Sequence, residues 1–136
     1  MAVSPELAGR TFPPTAPYAV SAAKIREFAL AIGVEPAEDA PPTFPIVVAF
    51  AAMQQLMHDP EVGIELHNVV HRDQRFVQVR PIRAGDALTA TLTVETLRQA
   101  AGTDLIGTRT EVTDASGELV TTAYATLAHR ATEVSV

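Results

Sequence analysis

The chain contains no cysteine and no tryptophan, and its aromatic residues amount to two tyrosines and five phenylalanines. Without thiols neither a disulfide framework nor a thiolate metal centre can form, and a reducing compartment is permitted. Basic residues are also scarce: 10 Lys and Arg stand against 16 Asp and Glu, a formal net charge of −6. That balance argues against a broad phosphate-binding surface, so nucleic acid is not an expected partner. The opening text, MAVSPELAGRTFPP, lacks the basic start and apolar run of a secretory signal. No segment reaches the roughly 18 to 20 unbroken apolar residues that span a bilayer. The expectation is a cytoplasmic protein with no membrane partner. What remains is a chain of 136 residues, 47% hydrophobic and 19% charged. It has the size of one domain, 1–136, able to bury a substantial core.

Local patterns divide the chain into a helical first half and an extended second half. Tyr18 to Val20 can form a short strand, after which Ser21 is a plausible N-cap. Ala22, Ile25, Phe28, Ala29 and Ile32 then recur at three and four, the period of a helix with one buried face, and Gly33 supplies the stop. The acidic, proline-bearing text VEPAEDAPP reads as an irregular loop. Residues 43–58 hold one proline near the start, followed by Ile46, Val47, Val48, Ala49, Phe50, Ala51, Ala52, Met53, Leu56 and Met57. A helix apolar on nearly every side is expected to be surrounded, here by a sheet curled around it.

Downstream text is strand-like. Leu88, Ala90, Leu92 and Val94 alternate with Thr89, Thr91, Thr93 and Glu95, and the same period returns in Leu119, Thr121, Ala123, Ala125 and Leu127. A weaker strand is expected over residues 105–112, between turn signals at 101–103 and 114–117. Short turns favour antiparallel neighbours, so the layout is α+β with a long helix against one sheet face.

Specific text narrows this layout. YAVSAAKIREFALAIG, APPTFP, LHNVVHRDQRFVQVRPIRAGDALTATLTVETL and GELVTTAYATLAHR, in that order and over roughly residues 18–130, resemble the MaoC-like hot-dog dehydratase family. The likeness is to the N-terminal kind of domain, akin to the non-catalytic subunit of bacterial (3R)-hydroxyacyl-ACP dehydratase. It implies a hot-dog fold assembling as a double hot-dog dimer, an acyl thioester on CoA or acyl carrier protein as ligand, and a homodimeric or catalytic hot-dog partner. No cofactor and no metal are expected. In active relatives a Gly-Asp-x-Asn-Pro-x-His segment before the central helix carries the acid–base pair. Here the matching place reads Gly33-Val34-Glu35-Pro36-Ala37-Glu38, with Val34 where the Asp would stand and no histidine before the helix. The Asp/His pair is therefore expected to be absent, with Glu35, Glu38 or Asp39 as conceivable substitutes or plain solvated charges.

The same resemblance picks out candidate thioester contacts. Phe44, Ile46 and Val47 offer backbone N–H groups at the start of the central helix, where Pro45 removes one. Phe50, Met53 and Met57 can border an acyl chain or simply fill the core. His71 and Arg75, with Asp73 and Gln74, can line the thioester end of a channel or form an ordinary polar strand. His67 and His71, four apart, would share a metal only on a helix; on a strand they stand about 13 Å apart at about 3.3 Å per residue. Arg80 and Arg83 suit a carrier phosphate or a solvated edge, and Asp86 a turn. A thioesterase would need a carboxylate on the helix, where Gln54 and Gln55 stand instead. The leading expectation is an acyl-thioester-binding, non-catalytic dehydratase subunit, with a homodimeric binding module as the alternative.

Overall fold

The computed structural model describes residues 3–131. A two-residue strand β1 (Tyr18–Ala19) leads into helix α1 (Ala22–Ala31), and the Ser21 hydroxyl accepts the Lys24 N–H at 3.0 Å to start it. Gly33, at φ 76°, takes the left-handed turn that ends it. Only Ile25 and Ala29 of α1 are buried; Ala22 and Ile32 are exposed, so the buried stripe is narrower than its spacing predicts.

Helix α2 (Ile46–His58) begins later than expected, because residues 42–45 form tight turns. Its surroundings also differ from the expectation of a helix enclosed on every side. Val48, Ala49, Ala52, Met53 and Leu56 are buried on the face that packs against the sheet, whereas Phe50, Ala51 and Gln54 are exposed and Phe50 keeps 41% of its surface. The physical reason is that the sheet reaches the helix from one side only. An apolar sequence all round a helix reports what can be covered, not what this chain alone covers.

The sheet has five strands: β1, β2 (Val69–Gln78), β3 (Ala87–Ala100), β4 (Thr103–Thr113) and β5 (Leu119–Arg130), in the spatial order β1-β3-β4-β5-β2, all pairs antiparallel. The strand expected to be weak, β4, lies at the centre and is paired on both sides. Leu88, Ala90, Leu92 and Val94 of β3 face α2, and the next inward apolar residue is Leu97, three further on. The extra residue is a bulge between Val94 and Thr96.

The two outer edges are finished differently. Along β3 the N-terminal segment acts as a strap: Gly9 and Phe12 donate backbone N–H bonds to Val94 and Leu92, Thr15 donates to Ala90, and Val94 donates to Arg10. At the far side β2 pairs with β5 and has no second neighbour among the described residues. Its flank carries the exposed Val70 and Val77, with Val79 just beyond. The text before β2, expected to be extended, instead makes a single 3₁₀ turn over Leu66–Asn68, which places His67 in a turn and His71 on the strand.

Candidate functional site

An Asp/His pair is present, which corrects the expectation that the chain lacks one. Asp104 on β4 and His129 on β5 are direct cross-strand partners on the helix-facing side, 2% and 0% exposed, with His129 Nδ1 2.9 Å from Asp104 Oδ2. Both ring nitrogens of His129 are engaged, because the Glu65 N–H donates to Nε2 at 3.0 Å. A backbone N–H can only donate, so Nε2 holds a lone pair and Nδ1 carries the proton that points to Asp104. The carboxylate also accepts the Val3 N–H at 3.2 Å and Gln99 Nε2 at 2.8 Å. Burial pushes the Asp104 carboxyl up, but the hydrogen bonds from His129, Gln99 and Val3 outweigh it and hold the group below its ordinary value. The pair thus joins the strap, β3, β4, β5 and the turn before β2.

Sequence reading missed these residues because attention stayed on the segment before the central helix. A signal was there: Asp104 continues the inward set Ile106, Thr108, Thr110, and His129 continues Ala123, Ala125, Leu127. Folding the text back at the turn over residues 114–117 sets the two within two residues of each other, and the pairing of β4 with β5, irregular between Val112 and Thr113, makes them direct partners.

The segment expected to replace a catalytic pair is a surface loop. Glu35 and Glu38 are exposed, and Asp39 forms an ion pair with Arg83, with which it also makes an isolated strand bridge. The start of α2 offers no free donors at the candidate positions. Phe44 gives its N–H to Pro41 O, Ile46 to Thr43 O and Val47 to Phe44 O. The Phe44 ring is itself fully buried, edge-on to Phe28 with centroids 5.3 Å apart.

Cross-strand register separates the candidates on β2. His71 and Gln74 pair with Leu127 and Ala125, which face the core, so they belong to the helix side, where His71 Nε2 lies 3.0 Å from Gln74 Oε1. Asp73 and Arg75 pair with Thr126 and Tyr124 on the opposite face, where the Arg75 guanidinium stacks 4.2 Å from the Tyr124 ring centre. The four residues therefore do not converge on one channel.

Arg80 and Arg83, the candidates for a carrier phosphate, are both already paired with carboxylates. Arg80 grips Asp86 with two nitrogens, at 2.9 and 3.2 Å, and reaches Asp114 at 3.2 Å. Asp86 also accepts the Arg83 N–H at 2.9 Å, the turn role its position suggests.

A surface cavity of about 330 Å³ opens at the C-terminal end of α2, lined by Met57, Pro60, Gly63, Ile64 and Glu65 among others. Met57, half-buried, is the one acyl-chain candidate that borders it, and its Glu65 wall is the residue bonded to His129. Among the described residues no helix is long and apolar enough to cross a membrane.

A five-stranded antiparallel sheet carrying one helix across its inner face is the hot-dog α+β arrangement of MaoC-like dehydratases. The chain belongs to the family described as FAS1-like, dehydratase domain region, which it matches over residues 6–123. It is 45% identical to the UPF0336 protein SCO4636 of Streptomyces coelicolor, covering 98% of this chain and 99% of that one. A UPF0336 protein of Leifsonia xyli is also 45% identical, over 96% of this chain and 98% of the relative. Among solved structures it resembles a chain of the C-terminally truncated HadBC (3R-hydroxyacyl-ACP dehydratase) complex of Mycobacterium tuberculosis. That match has a TM-score of 0.79, 30% identity, and coverage of 90% of this chain and 96% of the other.

Proposed function

We infer that the chain is the acyl-thioester-binding half of a dehydratase of the (3R)-3-hydroxyacyl type, working in the cytoplasm beside a second hot-dog domain. The observation that carries this reading is the uncovered flank of α2. Phe50 keeps 41% of its surface in the middle of the chain's most apolar helix, next to exposed Ala51 and Gln54. A ligand or a partner that covers this flank removes apolar surface from water, at about 25 cal/mol per Å². Met53 backs the flank, Met57 extends it, and His71 with Gln74 stands on the helix-facing side of β2 as the polar contribution.

The free edge of β2 and its exposed valines suit the second hot-dog domain, because an unpaired strand edge is satisfied by another strand. The 30% identity to a chain from a dehydratase complex supports a paired arrangement. Both ring nitrogens of His129 are engaged within the chain, which favours binding by this chain and proton transfer by its partner.

The test is a thermal-shift series with acyl-CoAs of graded length, together with a hydration assay on trans-2-enoyl-CoA by the chain alone and mixed with a catalytic hot-dog partner. Stabilisation that rises beyond about twelve carbons, with turnover only in the mixture, supports the reading, since each buried methylene contributes about 0.8 kcal/mol. A flat response to chain length leaves a homodimeric module without chemistry as the better account. Robust turnover by the chain alone would assign the proton transfer to it.

A further inference from the structure

The positive charges of this chain are unevenly matched. Arg10, Lys24, Arg80, Arg83 and Arg109 each stand at ion-pair distance from a carboxylate, whereas Arg26, Arg72, Arg75, Arg98 and Arg130 have none among the described residues. Arg26 lies on α1, and the other four lie on β2, β3 and β5. Arg75 is stacked on the Tyr124 ring, which leaves Arg72, Arg98 and Arg130 as strand cations without a partner among the described residues.

Register gathers these at one end of the sheet's outer face, the face turned away from α2. Arg98, Leu105, Ala128 and Val70 are successive cross-strand partners on β3, β4, β5 and β2. Leu105 stands between buried Asp104 and Ile106, and Ala128 between buried Leu127 and His129, so strand alternation turns this row outward. In the next row on the same face Arg130 pairs with Thr103, and Thr103 with Ala100. Arg72 is the residue that the β2 irregularity leaves unpaired, beside this row at the outer strand. Neither row holds a carboxylate; Asp73, in the row beyond, shares its face and strand with Arg75. Between the arginines the surface is apolar, with Val70 64% exposed and Leu105 and Ala128 half-buried.

We propose that this end of the outer face docks an acidic protein surface, with Val70, Leu105 and Ala128 as the apolar contact and Arg72, Arg98 and Arg130 pairing with carboxylates at its rim. An apolar centre bordered by arginine is the composition of a protein interface. From β3 to β2 the row spans three strand spacings, about 14 Å, wide enough for one helix laid across it. A second copy is the wrong occupant, because two-fold apposition of this face sets arginine against arginine. A nucleic acid or an anionic bilayer is disfavoured as well: three arginines on a chain of net charge −6 give little long-range attraction to a polyanion. Strand addition at β2 engages backbone groups in the plane of the sheet and leaves the outward side chain of Val70 on this face. The surface lies on the opposite side of the sheet from α2, so it goes beyond acyl-thioester binding and stands without it.

The probe is a helical peptide with glutamate and leucine along one face, compared with the same peptide carrying glutamine for glutamate, each titrated into the nitrogen-15-labelled wild-type chain. Amide shifts are expected at Val70, Leu105 and Ala128 and not along α2, with the glutamate peptide bound at least about tenfold more tightly. The double variant Arg98→Glu, Arg130→Glu should weaken that binding by about tenfold or more, while Arg26→Glu leaves it unchanged. No preference between the two peptides, or shifts confined to α2, overturns the proposal. So does tighter binding of duplex DNA or phosphatidylserine vesicles that the double variant loses, which assigns the arginines to phosphate. Self-association of the wild-type chain that the double variant abolishes assigns the face to a second copy and overturns it too. If the double variant does not fold, the peptide comparison and the shift map on the wild-type chain still decide.

Discussion

Gly107 on β4 stands opposite Thr96 on β3, so close that a methyl group built on its α-carbon would sit 2.2 Å from the Thr96 hydroxyl. The bulge beside Thr96 brings the two strands together here, and a β-branched side chain has little freedom at χ1 to step aside. Gly107→Ala is therefore expected to destabilise the fold by about 1–3 kcal/mol, the range of an overpacked site. Thr96→Ala in the same chain should return most of that loss. Chemical denaturation of the two single variants and the double variant measures the coupling.

The two kinds of large side chain on and under α2 should respond differently to truncation. Leu92→Ala removes a residue with no exposed surface and should cost about 2–5 kcal/mol. Phe50→Ser, at a position 41% exposed, should cost less than about 1 kcal/mol in the isolated chain, where surface changes have small effects. The same Phe50 substitution should flatten the acyl-CoA chain-length series. Denaturation curves and thermal shifts, taken on one set of samples, separate packing from binding.

Acid should weaken the corner where the turn before β3 meets the turn between β4 and β5. Asp114 is held down to about 2, first by the Ser116 hydroxyl and further by the Glu118 N–H and Arg80, while Asp86 is held below its ordinary value as Arg80 and the Arg83 N–H outweigh its burial. A carboxylate whose folded value is depressed contributes stability that is present above its unfolded value of 3.8 and is lost as pH falls toward its folded value. Stability followed by denaturation should thus decline from just above pH 4 down to about 2. Asp114→Asn should make that decline shallower.

Arg80→Met removes the cation shared by Asp86 and Asp114 and leaves two carboxylates adjacent. With the arginine side chain 36% exposed, solvent screening limits the cost to about 1 kcal/mol. The loss should shrink in about 1 M salt, where screening acts within about 3 Å. Denaturation at two ionic strengths checks it.

Asp104→Ala should be far costlier than Arg80→Met, because it strands His129, Gln99 and the Val3 N–H in a buried site. Each orphaned group costs about 1–3 kcal/mol, so a loss of about 3 kcal/mol or more is expected. The Val3 amide should exchange faster in any variant that still folds.

Strong periodicities in the text were translated faithfully into structure. The alternation from Leu88 to Val94, the cap at Ser21 and the turn over residues 114–117 all appear where the residue pattern sets them. What failed were inferences that need a third dimension. The apolar text of α2 carries no record of which side meets the sheet, so the exposure of Phe50 was not legible. The period of β3 shifts at Glu95, and only the pairing with β4 reveals that a bulge, not the strand's end, lies there. His71 and Arg75, near in sequence, point to opposite faces after the irregularity between His71 and Asp73. Asp104 and His129 are 25 residues apart, and their meeting depends on register.

The unequal finishing of the two sheet edges sets a limit on stoichiometry. The strap along β3 carries Pro13, Pro14 and Pro17, residues with no N–H to extend a ladder outward, whereas the outer side of β2 has no strand partner among the described residues. A sheet with one receptive side can accept one neighbour by strand addition, and the neighbour, if built alike, then shows only its own strapped side. Edge-to-edge growth by this route would terminate at two. The long strands of this chain can therefore be open enough to pair without being able to polymerise.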